Sequence, residues 1–248
     1  MVNTEKTSFY EIEADIRFCD CDLHQKIKAS AICEFMSNLA GVAFGSRGMD
    51  HRYLWDRGFV FLLSRVSVRI LRSPLPEEKI RIATWEREAV RAEYLRDFEF
   101  RSMDGELLIA GTTAWILVDP NTRQILRPSE FTAGEMMPMP DKKADVQPCA
   151  RLRLKDEEAD FVGTRKIYYS QLDANGHVHN TIYADLAVDA LPVDLLEQSL
   201  CEFQLNFSRE ALLGDEIHIF RSMTEEESVV KGTVNGKDCF ICRMVFAS

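Results

Sequence analysis

Four residues in the second half of the chain have the types and spacing for hydrolytic chemistry. Asp173, Asn175 and His177 stand at alternate positions in LDANGHVHN, just ahead of an apolar pattern with helical spacing. Glu210 follows the strand-like run FQLNFSR. Asn donates and accepts hydrogen bonds, His moves protons, and carboxylates orient or accept. At a helix N-terminus such groups add to unpaired backbone N–H groups and the positive end of the helix dipole. That combination suits a developing oxyanion on an acyl carbonyl, where one donor is worth about 2.7–4 kcal/mol. Glu210, if the fold brings it opposite, supplies a base for water, worth roughly 10²–10⁴ in rate. The same residue types also build turns and helix caps, so spacing alone leaves LDANGHVHN open between a catalytic loop and a plain turn. His179 alternates away from His177 and reads as solvent-facing or structural. His24, His51 and His218 have no clustered partners and read as surface or satisfied core.

The elements that must hold these residues come in two copies. Val66, Val68 and Ile70 share one face of a strand pattern and recur as Phe203, Leu205 and Phe207. Ile80 and Ile82 recur as Ile217 and Ile219. Each copy reads as strand, tight connection, strand, that is, a hairpin. A helix precedes each. In the first, Ile32, Phe35, Met36, Leu39 and Ala43 lie on one face, with Ser30 as the expected N-cap. In the second, Tyr183, Leu186, Ala187 and Ala190 do so, with Pro192 as a stop. A strand pattern precedes each helix. Two further strands close each copy, joined by Asp104-Gly105 and by Asn235-Gly236. One helix cannot cover such a sheet alone, so two copies are expected to bury their helices and join edges in one α+β sheet. Residues 136–159, rich in Pro and charge, read as the linker between an N-terminal unit, 1–135, and a C-terminal unit, 160–248.

The copies differ where the chemistry would be. Asp22 matches Asp173, but His24 stands for Asn175, Lys26 for His177 and Ser73 for Glu210. One active half and one silent half is the simplest reading.

Composition narrows the rest. The 248 residues carry 30 Lys+Arg against 40 Asp+Glu, a net charge of −10, which argues against a nucleic-acid scaffold. An apolar fraction of 46% fits a packed globular chain, and no apolar run reaches a membrane span. The opening residues are polar and acidic, so a soluble cytoplasmic protein is expected. Seven cysteines, an odd number, in a chain long enough to need no staples argue against a disulfide framework. Cys239-x-x-Cys242 lies in an apolar strand pattern and lacks a second pair, so it reads as buried packing rather than a zinc site.

With these residues in view, the sequence resembles the acyl-ACP thioesterase family of plants and bacteria over nearly its whole length. FYEIEADIRFCDCD, RVSVRILRSPLPEEKIRIATW, WILVDPNTRQILRPS and YSQLDANGHVHNTIYADLAVDALP followed by LNFSREALLGDEI carry the likeness. Asp173, Asn175, His177, Val178, Asn180, Tyr183, Arg209 and Glu210 stand where the family pattern has the same residues. The resemblance implies two tandem hotdog folds and hydrolysis of the thioester between a fatty acyl chain and the phosphopantetheine arm of acyl carrier protein. It implies a catalytic set of Asp173, Asn175, His177 and Glu210, and no metal or redox cofactor, since a thioester is already activated. Many plant members have Cys directly after the Glu; Ala211 stands here, which removes a thiol nucleophile at that position. Phe35, Met36, Leu39 and the apolar face of GFVFLLSRV are the candidate lining of an acyl tunnel. An acidic carrier protein would need local cations. Candidates are Arg65, Arg69, Arg72, Arg151, Arg153, Lys155, Arg165 and Lys166. A monomer and a homodimer are both admissible. An acyl-CoA thioesterase of the same fold and a non-catalytic acyl-binding module are the alternatives. Double-hotdog hydratases place His five residues after Asp with an intervening Pro, unlike Asp173 and His177.

Overall fold

A computed structural model describes residues 7–247. The first six residues of the polar opening stretch, and Ser248 at the end of the last expected strand, lie outside the described residues. The first half contributes β1 (Tyr10–Asp15), α1 (Ala29–Gly45), α2 (His51–Trp55), β2 (Val60–Ile70), β3 (Lys79–Glu86), β4 (Glu93–Ser102), β5 (Leu107–Val118) and β6 (Ile125–Leu126). The second contributes β7 (Asp160–Lys166), α3 (Asn180–Val188), α4 (Val193–Leu196), β8 (Leu200–Phe207), β9 (Glu216–Met223), β10 (Ser228–Val234) and β11 (Lys237–Phe246).

All these strands form one antiparallel sheet in the order β1-β3-β4-β5-β2-β8-β11-β10-β9-β7, with β6 paired to β5. The order reads the same outward from the β2–β8 seam, where Arg65 faces Asn206 and Arg69 faces Glu202. This is the expected α+β tandem hotdog.

The expected hairpins between β2 and β3, and between β8 and β9, do not exist. β2 lies between β5 and β8, and β3 between β1 and β4. The intervening LRSPLPEE, with two prolines, is a crossover rather than a two-residue turn. Consecutive strands pair instead as β3–β4 and β9–β10 and, at the two expected Gly turns, as β4–β5 and β10–β11. The Gly turns put Gly105, Asn235 and Gly236 at φ of 93°, 52° and 72°, the left-handed region that such turns demand.

α1 and α3 pack on each other and on the inner face of the sheet. Ile32, Met36, Leu39 and Ala43 are buried as the periodicity requires, as are Tyr183, Leu186, Ala187 and Ala190, while Phe35 is only partly buried. Each large apolar side chain so buried is worth about 1.5–3 kcal/mol. α1 comes so close to β5 that a Cβ on Gly111 would sit 2.7 Å from Met36 Cε. Ser30 is not the N-cap. The helix starts two residues earlier, at Ala29, with Lys28 in the cap position and no side-chain capping bond.

Among the described residues, no α-helix covers the outer face. Residues 136–159, expected as a linker, run across it and partner its polar side chains. Trp85 Nε1 donates to the Lys142 carbonyl, and Asp97 Oδ2 accepts from the Ala144 amide. Gln204 Oε1 accepts from the Ala150 amide and Asn206 Oδ1 from the Leu152 amide. Buried Lys231 donates to the Leu154 carbonyl and pairs with Asp156. This extended segment covers part of the second face and satisfies the polar groups buried there.

Candidate active site

The loop before α3 is organised by Asp173. Its Oδ1 accepts the amides of Asn175 at 2.8 Å and His177 at 3.3 Å, and its own amide donates to the His177 carbonyl. Gly176, at φ 79°, lets the chain reverse there. The first half repeats the construction. Asp22 Oδ1 accepts the amides of His24 and Lys26, each at 2.9 Å, and Gln25 takes the left-handed position at φ 61°. The turn is therefore common to both halves, and only the side chains on it differ. Asp173 is its keystone. In the first half, Lys26 Nζ donates to the Glu197 and Gln198 carbonyls at the end of α4, which ties it down.

Two backbone and side-chain bonds bring the segment after β8 onto this loop. The Val178 amide donates to the Ala211 carbonyl at 3.0 Å. The buried Ala211 amide donates to Tyr183 Oη, also at 3.0 Å. Burial pushes the Tyr183 phenol well above its usual range, so it stays neutral. Glu210 is thereby held beside the loop, with Oε2 3.2 Å from His177 Nε2. The side chains of His177 and Glu210 are 22% and 41% exposed, so water reaches both. Arg123, at the β5–β6 turn of the first half, puts Nη1 3.7 Å from the same Glu210 oxygen.

Of the four sequence candidates, the structure joins His177 to Glu210 directly. Asp173 acts through the loop. Asn175 is exposed, and its Nδ2 lies 3.4 Å from Asp173 Oδ2 rather than against Glu210. His179 Nδ1 is 2.7 Å from Thr181 Oγ1, a local contact at the helix start. The sequence reading missed Arg123 as a neighbour of the site; the Asp119-Pro120-Asn121 turn marks a hairpin tip there, but nothing local says where the tip points. Tyr183 was expected on a helix face and as a match to the family pattern, but its bond to the Ala211 amide was not foreseen.

An apolar cavity of about 180 Å³ lies in the first half, between α1, α2, β2, β4 and β5. Phe44, Leu54, Phe61 and Trp115 line it, together with Gly41 and Ser37. Of the residues expected there, Phe59, Val60 and Phe61 take part, whereas Phe35, Met36 and Leu39 belong to the core. Its far wall is charged. Buried Glu86 pairs with Arg47 and, at 2.9 Å, with Arg96, and desolvation lowers Arg96 to about 10. None of the four candidates lines this cavity. However, antiparallel pairing sends the chain leaving β8 toward the start of β2, where Val60 and Phe61 form the cavity wall.

Among the described residues no three metal-ligating side chains cluster, and no helix is long and apolar enough to cross a membrane. All seven cysteines are free.

Residues 7–134 match the description acyl-ACP thioesterase N-terminal domain, and residues 154–236 match acyl-ACP thioesterase C-terminal domain. A chloroplastic palmitoyl-acyl carrier protein thioesterase of Gossypium hirsutum is 26% identical over 91% of this chain and 55% of its own length. One from Arabidopsis thaliana is 24% identical over 70% and 43%. The chain spans about half the length of the curated relatives it matches. A crystal structure of an acyl-ACP thioesterase from Bacteroides thetaiotaomicron shares the fold, with a TM-score of 0.89 at 21% identity, covering 97% of this chain and 98% of that one. The 12:0-ACP thioesterase from Umbellularia californica does so at 0.81 and 17%, covering 98% of each chain. Matched by both domain descriptions over most of its length, this chain belongs to the acyl-ACP thioesterase family.

Proposed function

We propose that this chain hydrolyses the thioester of fatty acyl-acyl carrier protein, releasing free fatty acid and ending chain elongation in fatty acid biosynthesis. The observation that carries the reading is the 3.2 Å approach of His177 Nε2 to Glu210 Oε2 at the polar entry of α3. Glu210, with His177, takes a proton from water as its oxygen attacks the thioester carbonyl. Amides at the start of α3 stabilise the oxyanion. The carbon–sulfur bond then breaks, and the proton passes to the departing sulfur. Asp173 holds the loop, and Asn175 orients water or thioester from its rim. The first half, 1–135, holds the acyl chain, the segment 160–248 carries the chemistry, and 136–159 joins them.

The carrier protein docks on cations. Arg65, Arg69, Arg72 and Lys155 are already paired with acids, which leaves Arg151, Arg153, Arg165 and Lys166 as the available candidates. Weak association that fades with salt is expected. Seven free thiols suit a reducing compartment, and we place the reaction in the cytoplasm.

The test is a panel of acyl chains on carrier protein and on CoA, run with wild type and His177→Ala. Faster release from carrier protein, lost in the variant, supports the reading. Preference for CoA thioesters moves the assignment to an acyl-CoA thioesterase, and binding without release moves it to an acyl-binding module.

A further inference from the structure

The silent half keeps a cleft where the other half has its reaction site. It measures about 660 Å³ and is lined by Lys26, Lys28 and Ser73, and across from them by Asp185, Val188 and Phe246. Lys26 and Ser73 are the repeat counterparts of His177 and Glu210. Val188 and Phe246 are the counterparts of Ser37 and Trp115, which line the apolar cavity of the first half. Duplication therefore left two related pockets. This one falls within the roughly 300–1,000 Å³ of small-molecule sites, and the other is smaller.

Its chemistry has changed sign. The ionisable pair of the catalytic half is replaced by an ammonium and a hydroxyl, which supply no base. Ser73 Oγ accepts the Ile27 amide at 2.8 Å. Lys26 donates to two carbonyls and Lys28 Nζ to the Cys19 carbonyl at 2.8 Å, and among the described residues neither forms an ion pair with a carboxylate. Arg72 also lines the cleft, but Glu78 and Glu106 take its charge. The apolar wall includes Ile27, Ile70, Leu196 and Leu200.

We propose that this cleft binds the anion of a fatty acid without hydrolysing anything, with the carboxylate at Lys26 and Lys28 and the tail along the apolar wall. Choosing a fatty acid rests on the hydrolase reading, because that is the product released nearby. Asp22, Asp185 and Asp189 are the acids on the same cleft. Asp22 is occupied by its turn. Desolvation raises the pKa of Asp185, against the Ser30 hydrogen bond and the nearby Lys28 charge, which weakens its repulsion of an anion.

The experiment is titration calorimetry of the full chain with dodecanoate. Wild type is expected to bind two equivalents. Lys28→Glu reverses an exposed charge and should weaken one site by about tenfold. Ser199→Trp should fill the cleft and remove that site, and it guards against a local defect in the first variant. Thioester hydrolysis should be unchanged in both. A single equivalent in wild type, or two equivalents untouched by either variant, overturns the proposal. Loss of a site with hydrolysis intact upholds it. If wild type hydrolyses no thioester yet the second site responds to both variants, the hydrolase reading fails and the anion site stands.

Discussion

His177 Nε2 and Glu210 Oε2 meet at 3.2 Å although α3, α4 and β8 separate them along the chain. The meeting is enforced by the Val178–Ala211 backbone bond and the Ala211–Tyr183 bond, one residue beyond each partner or nearby on α3. Replacing Glu210 by Gln keeps the shape and removes the base. Hydrolysis should fall by about 10²–10⁴ with little change in KM. Steady-state kinetics on acyl-carrier-protein substrate decides this, and full activity removes Glu210 from the role of base.

Tyr183→Phe should lower both stability and turnover. It leaves the buried Ala211 amide without its acceptor, a cost of about 1–3 kcal/mol. It also loosens the segment that carries Glu210. Urea unfolding and kcat, measured on one preparation, should move together.

The twin turns separate structure from chemistry. Asp22→Ala and Asp173→Ala each remove a carboxylate that accepts two amides. Each should cost about 1 kcal/mol of stability. Only Asp173→Ala should impair hydrolysis. Equal loss of activity in both would show that the turn matters solely for folding.

Asp185 provides a pH test. Desolvation raises its pKa, so the folded state disfavours the carboxylate. Below the unfolded value, about 3.9, both states are protonated and the residue costs nothing. As pH rises through the raised folded value, stability is lost. Asp185→Asn should therefore be more stable than wild type at pH 7, and the gap should close at pH 3.5. Denaturant midpoints at the two pH values measure it.

Gly41 lies on α1 at the wall of the apolar cavity, and a Cβ there meets no atom within 4 Å. Gly41→Ala should stabilise the helix by about 0.5–1 kcal/mol. Gly41→Leu should shift acyl preference toward shorter chains. Each displaced methylene is worth about 1–3 kcal/mol, so the longest accepted chain should lose tenfold or more in kcat/KM.

The repeat, both core helix faces and both Gly-containing turns were legible because local periodicity and turn chemistry determine them. The pairing of β2 with β8 instead of β3 was not, since strand order depends on contacts between distant segments. The site was legible in part. The Asp173 turn is local and announces itself. The approach of Glu210 needed the offset of two copies to suggest it, and Arg123 arrives from the other half with no signal of its own. Ser30 misled because a good capping residue stood one turn position inside a helix that uses none.

The strap over the outer face has a consequence for anyone wishing to cut the molecule in two. Its amides and carbonyls satisfy Asp97, Gln204, Asn206 and Lys231, which lie on strands from both copies. A nick near Ala150 would strand those groups against bare sheet, so isolated halves should be sticky and poorly folded, and rearranged chains with new ends in this stretch should fail where ends placed at the Asn235-Gly236 turn succeed.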